Sequence, residues 1–80
     1  MSNYQTNIGD KIREIRKSKG ITINDIAKKT GFTSSFISQF ERGITTASIA
    51  SIQKIAKVLE INLSTLFKED KGKGNENNID

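Results

Sequence analysis

The amino-acid sequence predicts an all-α fold, a compact bundle of five helices in one domain. Apolar residues recur every three or four positions through most of the chain, which is the spacing of one helix face. Stretches in which apolar and polar residues alternate are too short to make a convincing strand. With 80 residues the chain can bury one small core and has no room for a second.

The first helix is predicted over residues 8–18. Gly20 follows it as a terminator, because glycine readily adopts the backbone conformation that ends a helix. Most lysines and arginines of this helix are expected to face water. Its apolar positions fall within a narrow arc of the helical wheel, and they are Ile8, Ile12 and Ile15.

Threonines mark the start of the next two helices. Thr22 can cap the second helix, and Asp25 in the first turn completes a capping-box pattern. This helix is expected to end near Lys29, before Gly31. Thr33 is the candidate cap of the third helix.

Two further helices complete the predicted bundle. The third helix runs to about Glu41, before Gly43. Ser48 caps a fourth, and Asn62 caps a fifth of one or two turns. The apolar stripe of the fourth helix comprises Ile49, Ile52, Ala56 and Leu59, with Ile55 at its edge. The fifth is expected to bury Leu63, Leu66 and Phe67.

The composition excludes several kinds of function. The chain contains no cysteine and no histidine, which removes disulfides, thiolate metal sites and the commonest general base. Its carboxylates are scattered, so we expect no enzyme, no metal and no cofactor. Apolar runs are too short for a membrane span or a signal peptide, and we therefore expect a cytoplasmic protein with no membrane partner.

Charge and polarity divide the chain into three parts. These are a polar arm (residues 1–7), a folded domain (residues 8–68) and a Gly/Asn/Lys-rich tail (residues 69–80) that we expect to be disordered or to act as a linker. The net charge is +4, and residues 1–67 carry ten Lys/Arg against five Asp/Glu. The folded part is the basic part, which suits a polyanionic partner without identifying it.

Residues 22–42 have the pattern of a helix-turn-helix, in which two helices meet through a tight turn. Ala27 is small where the two helices cross, and Gly31 can adopt the positive φ that the turn needs. Ile37 seats the third helix on the core. Replacing Ala27 with a larger residue is expected to push the helices apart.

The outer face of the third helix is polar, with small or hydrogen-bonding side chains. Glutamine pairs well with adenine N6 and N7, and serine is a versatile short-range partner of base edges. An ordinary solvated helix face is the alternative interpretation, but the position within the helix-turn-helix favours base contact. The candidate base-contacting residues are Ser34, Ser35, Ser38 and Gln39.

Candidate phosphate contacts flank this face. A helix N-terminus presents backbone N–H groups to a phosphate, and an arginine in the following loop can reach one as well. The lysine pair Lys28 and Lys29 fits a solvated face better than a phosphate contact. The candidates are Thr22, Asn24, Thr33, Arg42 and Thr45.

Four runs of sequence follow one another in a recognisable order: IGDKIREIRKSKGIT, DIAKKTGF, SSFISQFERG and SIASIQKIAKVLEINLSTLF. From Ile8 to Phe67 the chain resembles a helix-turn-helix domain of the Xre/Cro/CI family, the phage-repressor class. The resemblance implies a lambda-repressor-like DNA-binding bundle, acting mostly as a homodimer on palindromic operators in double-stranded DNA. The third helix, about residues 34–41, would lie in the major groove, and repression of transcription is the expected function.

The resemblance also places Arg16 and Glu41 in an interior ion pair between helix 1 and the end of helix 3.

Two positions depart from the family pattern. Ile23 stands where many members have a glutamine that contacts phosphate, so anchoring at helix 2 is expected to rest on backbone amides and Thr22. Ala47 stands where a proline is frequent, which removes a rigid turn.

Apolar residues on helices 4 and 5 exceed what a small core needs. An exposed cluster of them would suit an isologous dimer, and extra core beneath a loop is the alternative. The candidate dimer residues are Val58, Ile61 and Phe67.

A protein-interaction module of the antitoxin type uses the same fold and is the alternative function.

Overall fold

A computed structural model describes residues 4–67. The regular structure of this part is helical throughout, without a strand. The helices are α1 (Tyr4–Ser18), α2 (Ile23–Thr30), α3 (Ser34–Glu41), α4 (Ile49–Leu59) and α5 (Leu63–Phe67). The predicted all-α bundle of five helices is confirmed, whereas the tail predicted at residues 69–80 lies outside the described residues.

The first helix begins at Tyr4 and not at Ile8. Residues 4–7, predicted to belong to a polar arm over residues 1–7, instead form the first turn of α1. Sequence periodicity detects only the point where apolar residues begin, here the buried Ile8. Polar residues can extend a helix at little cost once its following turn packs against a core.

All five helices contribute to one core. The helix α1 packs against α3, α4 and α5, while α2 packs against α3 and α4. The two helices of the helix-turn-helix are thus held by the rest of the bundle as well as by each other. The largest fully buried side chains are Ile8, Ile12, Ile26, Ile37, Phe40, Ile52, Ile55, Leu59 and Leu66.

The buried stripe of α4 differs from the prediction at its first residue. Ile49, predicted to be buried, is 52% exposed, whereas Ile55, predicted at the edge, is fully buried. Periodicity identifies the face of a helix but not how much of that face its neighbours cover. Ile49 is the first residue of α4 and lies at the end of the apolar stripe, where neighbouring residues no longer cover it.

The starts of α2, α3 and α4 follow the predicted caps. The hydroxyls of Thr22, Thr33 and Ser48 each accept a hydrogen bond from a backbone N–H in the first turn of α2, α3 and α4. At the end of α2, Gly31 has φ +85° and donates its N–H to the Ala27 carbonyl. This left-handed conformation is accessible to glycine without strain, and it makes the predicted turn.

The described helices are short. The longest, α1, has 15 residues, and none in residues 4–67 combines the length and apolarity that a membrane crossing demands. Over the same residues no group of three or more His, Cys, Asp or Glu could hold a metal ion.

Gly9 is the position of closest approach between α1 and α3. A Cβ atom built on Gly9 would overlap the carbonyl oxygen of Phe40 and lie 3.1 Å from that of Glu41. Both are backbone atoms, which cannot rotate away. The sequence does not reveal this constraint, because a glycine inside a helical pattern carries no information about its neighbours.

Candidate nucleic-acid interface

The N-terminal parts of α2 and α3 border an open groove, and the end of α1 forms its third wall. The groove has a volume of about 670 Å³. Lys17 of α1 adds a positive charge to this wall, a contribution that the sequence analysis missed. Predicted DNA-contacting residues that the structure brings together here are Thr22, Asn24, Ser34, Ser35 and Ser38.

The start of α2 is fixed by a capping box. Thr22 Oγ1 accepts from the Asp25 N–H at 3.0 Å, and the Thr22 N–H donates to Asp25 Oδ2 at 3.1 Å. The backbone N–H of Thr22, its hydroxyl and the charges of Lys29 and Lys28 lower the pKa of Asp25. The Thr22 hydroxyl has a single proton, so it donates either to the Asp25 carboxylate or outward to a phosphate oxygen, and not to both.

Asn24 and Ser34 join the two helices of the motif directly. Ser34 Oγ donates to Asn24 Oδ1 at 2.6 Å. This bond uses the Ser34 proton, so Ser34 can meet a base edge only as an acceptor, while the Asn24 amide keeps its N–H groups as donors. Asn24, predicted as a phosphate contact, thus carries a side-chain amide at the start of α2. Ile23 packs against the core, and the next residue supplies the amide.

The remaining candidate base contacts follow along α3. Ser35 and Gln39 are exposed, and Ser38 is half-buried. Gln39 Nε2 lies 3.4 Å from Ser35 Oγ, one turn away. This distance exceeds the usual ~2.7–3.2 Å of an N–H···O hydrogen bond. Gln39 is thus held weakly and can turn its amide toward a base.

The inner face of α3 is held by aromatic and aliphatic packing. Ile37 and Phe40 are fully buried. The Phe36 ring stacks on that of Phe40 with centroids 6.4 Å apart, and Phe32 meets Phe36 edge-on at 5.3 Å. These rings lie on the core side of α3, so the polar face is presented by a helix whose orientation is fixed.

Arg16 and Glu41 form a buried ion pair between α1 and the last residue of α3. Arg16 Nε lies 2.7 Å from Glu41 Oε2, and Arg16 donates a second bond to Oε1 at 3.1 Å. Its remaining terminal nitrogen donates to the carbonyl of Ile21 at 3.0 Å. This two-bond geometry satisfies both charges and ties the end of α3 to α1.

The other candidate phosphate contacts lie outside the groove. Thr33 is exposed and caps α3. Arg42 is exposed and Thr45 is half-buried, both in the loop that follows α3. In this loop the Ile44 N–H donates to the Gln39 carbonyl at 2.9 Å, which folds the loop back over the end of α3. Arg42 and Thr45 therefore border α3 at the end opposite Thr33.

The candidate dimer residues are only partly exposed. Val58, Ile61 and Phe67 are half-buried and pack against the core. The exposed large apolar side chains in the described part are instead Ile44, at 61%, and Ile49, at 52%. Of these two, Ile49 is the residue that the sequence predicts to lie in the buried stripe of α4.

Two helices joined by a glycine turn, the second presenting a polar face from a fixed position, define a helix-turn-helix domain. Residues 12–66 match the Helix-turn-helix family, and the chain belongs to that family. The resemblance inferred from the sequence is confirmed.

Relatives of the chain carry the names of transcriptional regulators. The chain is 36% identical over 63 residues to the HTH-type transcriptional regulator SinR of Bacillus subtilis (strain 168), a match that covers 78% of the chain and 57% of SinR. It is 40% identical over 63 residues to the uncharacterized HTH-type transcriptional regulator YazB of the same organism, covering 79% of the chain and 91% of YazB. The chain thus spans little more than half the length of SinR.

Solved structures share the arrangement of the helices. The structure of SinR in complex with DNA has a TM-score of 0.70 at 35% identity and covers 76% of this chain and 98% of that chain. The restriction-modification controller protein C.Esp1396I has a TM-score of 0.74 at 31% identity and covers 84% of this chain and 86% of that chain. These proteins are regulators and not enzymes, which agrees with the exclusion of catalysis from the sequence.

Proposed function

We propose that the chain binds double-stranded DNA in a sequence-specific manner and regulates transcription. The observation that carries this proposal is the polar face of α3, where Ser35, Ser38 and Gln39 point away from a buried aromatic and aliphatic side. Such side chains can reach base edges in the major groove, and glutamine distinguishes adenine through two hydrogen bonds. The net charge of +4 favours association with a polyanion.

Phosphate contacts on both sides of α3 would set the position of this helix in the major groove of the DNA. At one end, the N-terminus of α2 offers Thr22 and the amide of Asn24, with Thr33 nearby at the start of α3. At the other end, Arg42 and Thr45 follow the helix. Phosphate contacts of this kind fix register and orientation, while the residues between them read the bases. The structure of SinR in complex with DNA, which shares the helix arrangement of this chain, supports DNA as the partner.

A homodimer on an inverted repeat is the assembly that we propose. Two copies related by a twofold axis would present their α3 helices to successive major grooves, ~34–36 Å apart. Repression is the simplest regulatory output of such a complex, because a bound dimer blocks access to the DNA that it covers. Such a regulator would act in the cytoplasm of a bacterium, from a bacterial or phage gene.

The proposal is tested by selecting bound duplexes from a random pool and measuring affinity for the selected and for a scrambled sequence. Gln39→Ala is expected to weaken binding to the selected duplex by about 1–3 kcal/mol and to leave binding to scrambled DNA almost unchanged. An equal loss of affinity for both duplexes would show that Gln39 does not contact bases.

Gln53→Ala is the matched control, since Gln53 is an exposed glutamine on α4, outside the motif. It should bind both duplexes as the unchanged chain does. Failure to enrich any sequence from the pool would contradict sequence-specific binding and favour the alternative, a protein-interaction module of the antitoxin type.

A further inference from the structure

A second groove lies between α2 and α4, and lysines dominate it. Its volume is about 320 Å³, and its lining residues are Lys29, Thr30, Lys54, Lys57 and Val58. None of these five residues carries a carboxylate. The DNA-binding proposal does not use this lysine groove, and neither the sequence motifs nor the family membership assigns it a role.

The lysine groove faces away from the candidate DNA interface. On α2, Lys29 follows Asn24 by five positions, which places the two side chains ~140° apart around the helix axis. The helix α4 supplies lining residues to the lysine groove and none to the groove between α2 and α3. A duplex against the polar face of α3 would therefore leave the lysine groove open.

The positive charges of the groove are close together and largely uncompensated. Lys54 and Lys57 are one turn apart on the same face of α4, and both are exposed. Lys54 Nζ lies 5.6 Å above the Phe32 ring, a cation–π contact that restrains this side chain. On α2, the Asp25 carboxylate lies one turn before Lys29, where it binds the Thr22 N–H and offsets part of the Lys29 charge, whereas Lys54 and Lys57 have no carboxylate among the lining residues.

We propose that the lysine groove binds an acidic segment of a partner protein, one in which carboxylates flank an apolar residue. The ammonium groups supply the charge complement, and half-buried Val58 with the lysine methylenes supplies an apolar contact. A nucleic-acid backbone suits the groove less well. Its sugars and phosphates would leave half-buried Val58 without an apolar partner, and the Thr30 hydroxyl already donates to the Ile26 carbonyl at 2.8 Å.

The test uses the full chain and a fluorescent peptide in which glutamates surround a single leucine. Anisotropy should show saturable binding, and amide NMR shifts should change at Lys29, Lys54 and Val58. The double variant Lys54→Glu/Lys57→Glu should weaken peptide binding at least about tenfold, because charge reversal makes the contact repulsive. Its affinity for selected DNA should fall no further than that of a variant with the same change of net charge elsewhere, which separates this proposal from the DNA-binding function.

Arg13→Glu/Lys19→Glu is the matched control, because it makes the same change of charge at exposed positions outside the lysine groove. It should bind the peptide within about twofold of the unchanged chain. Three results would overturn the proposal: no binding of the peptide, equal losses in both double variants, or shifts confined to Ser35 and Gln39. Competition by random duplex DNA for the same lysines would also overturn it, since the occupant would then be a phosphate backbone.

Discussion

Single hydrogen-bonding side chains determine how the polar face of α3 is held. Ser34 bonds to Asn24 of α2, and Glu41 bonds to Arg16 of α1. The helix α3 is thus anchored at its first and last residues to two different helices. One anchor is exposed and uncharged, and the other is buried and ionic, so the two should respond very differently to substitution.

Replacing Arg16 with alanine is expected to destabilise the fold by about 3–5 kcal/mol, since the buried carboxylate of Glu41 would lose its partner. Arg16→Lys should recover only part of this loss, because an ammonium group cannot reproduce the two parallel bonds. Denaturation in urea measures the effect, and Arg13→Ala, an exposed arginine of α1, is the control with little expected change. Unchanged stability together with weaker DNA binding would show that Arg16 contacts DNA instead.

Asp25 gives the start of α2 a dependence on pH. Its pKa is lowered in the folded chain by the backbone N–H and hydroxyl of Thr22 and by Lys29 and Lys28. The ionised carboxylate therefore contributes stability above the ordinary aspartate pKa of ~3.9. That contribution is lost as the pH falls through the lowered pKa of the folded state.

Asp25→Asn should therefore lower the melting temperature at neutral pH, and its difference from the unchanged chain should shrink toward zero in acid. Asparagine retains an oxygen that can accept from the Thr22 N–H, so the substitution tests the charge more than the hydrogen bond. Thermal unfolding of both chains across the acid range measures this difference. A difference that is the same at every pH would show that the ionised form has no special role.

Helices were predictable where their determinants are local. The caps at Thr22, Thr33 and Ser48 each bond to a backbone group within three residues, so the sequence contains both partners of the interaction. The hydrogen bond from Ser34 to Asn24 joins residues that are ten positions apart in the sequence, and the contact from Lys11 to the Leu66 carbonyl joins residues that are 55 apart. Such pairs, like the exposure of Ile49, depend on how the helices pack and could not be predicted from periodicity.

The crossing of α1 over α3 depends on Gly9. Gly9→Ala should destabilise the bundle, because the new methyl group would meet the carbonyls of Phe40 and Glu41. Overpacking of this kind costs about 1–3 kcal/mol. That cost outweighs the ~1 kcal/mol that alanine gains over glycine in a helix.

The midpoint of urea unfolding measures the effect of Gly9→Ala. Asp10→Ala is the control on the neighbouring, exposed position of α1. It should leave the midpoint unchanged or raise it slightly, since alanine is the better helix former. A rise in the midpoint for Gly9→Ala would mean that the two helices separate without cost.

The whole molecule presents two different surfaces to partners. The polar face of α3 and the groove beside it lie on one side, and the lysine groove lies between α2 and α4. Exposed Ile44 and Ile49 lie near the loop that joins α3 to α4. Under the two proposals, DNA would occupy the first surface and an acidic protein segment the second.

The proposed homodimer gives the last prediction, which concerns the number of chains on one duplex. Sedimentation should find two chains on a selected duplex with an intact inverted repeat. Inserting about five base pairs between the half-sites rotates one of them by half a helical turn. Binding should then weaken strongly, because a rigid dimer can no longer place both α3 helices in the major groove.

Changing the spacer bases without changing their number is the control, and it should leave two chains bound with nearly the same affinity. The comparison separates spacing from spacer sequence, since only the insertion alters the angle between half-sites. One chain per duplex at saturation, or equal binding before and after the insertion, would mean that each chain reads its half-site alone. The twofold arrangement would then be wrong, while recognition by α3 could still hold.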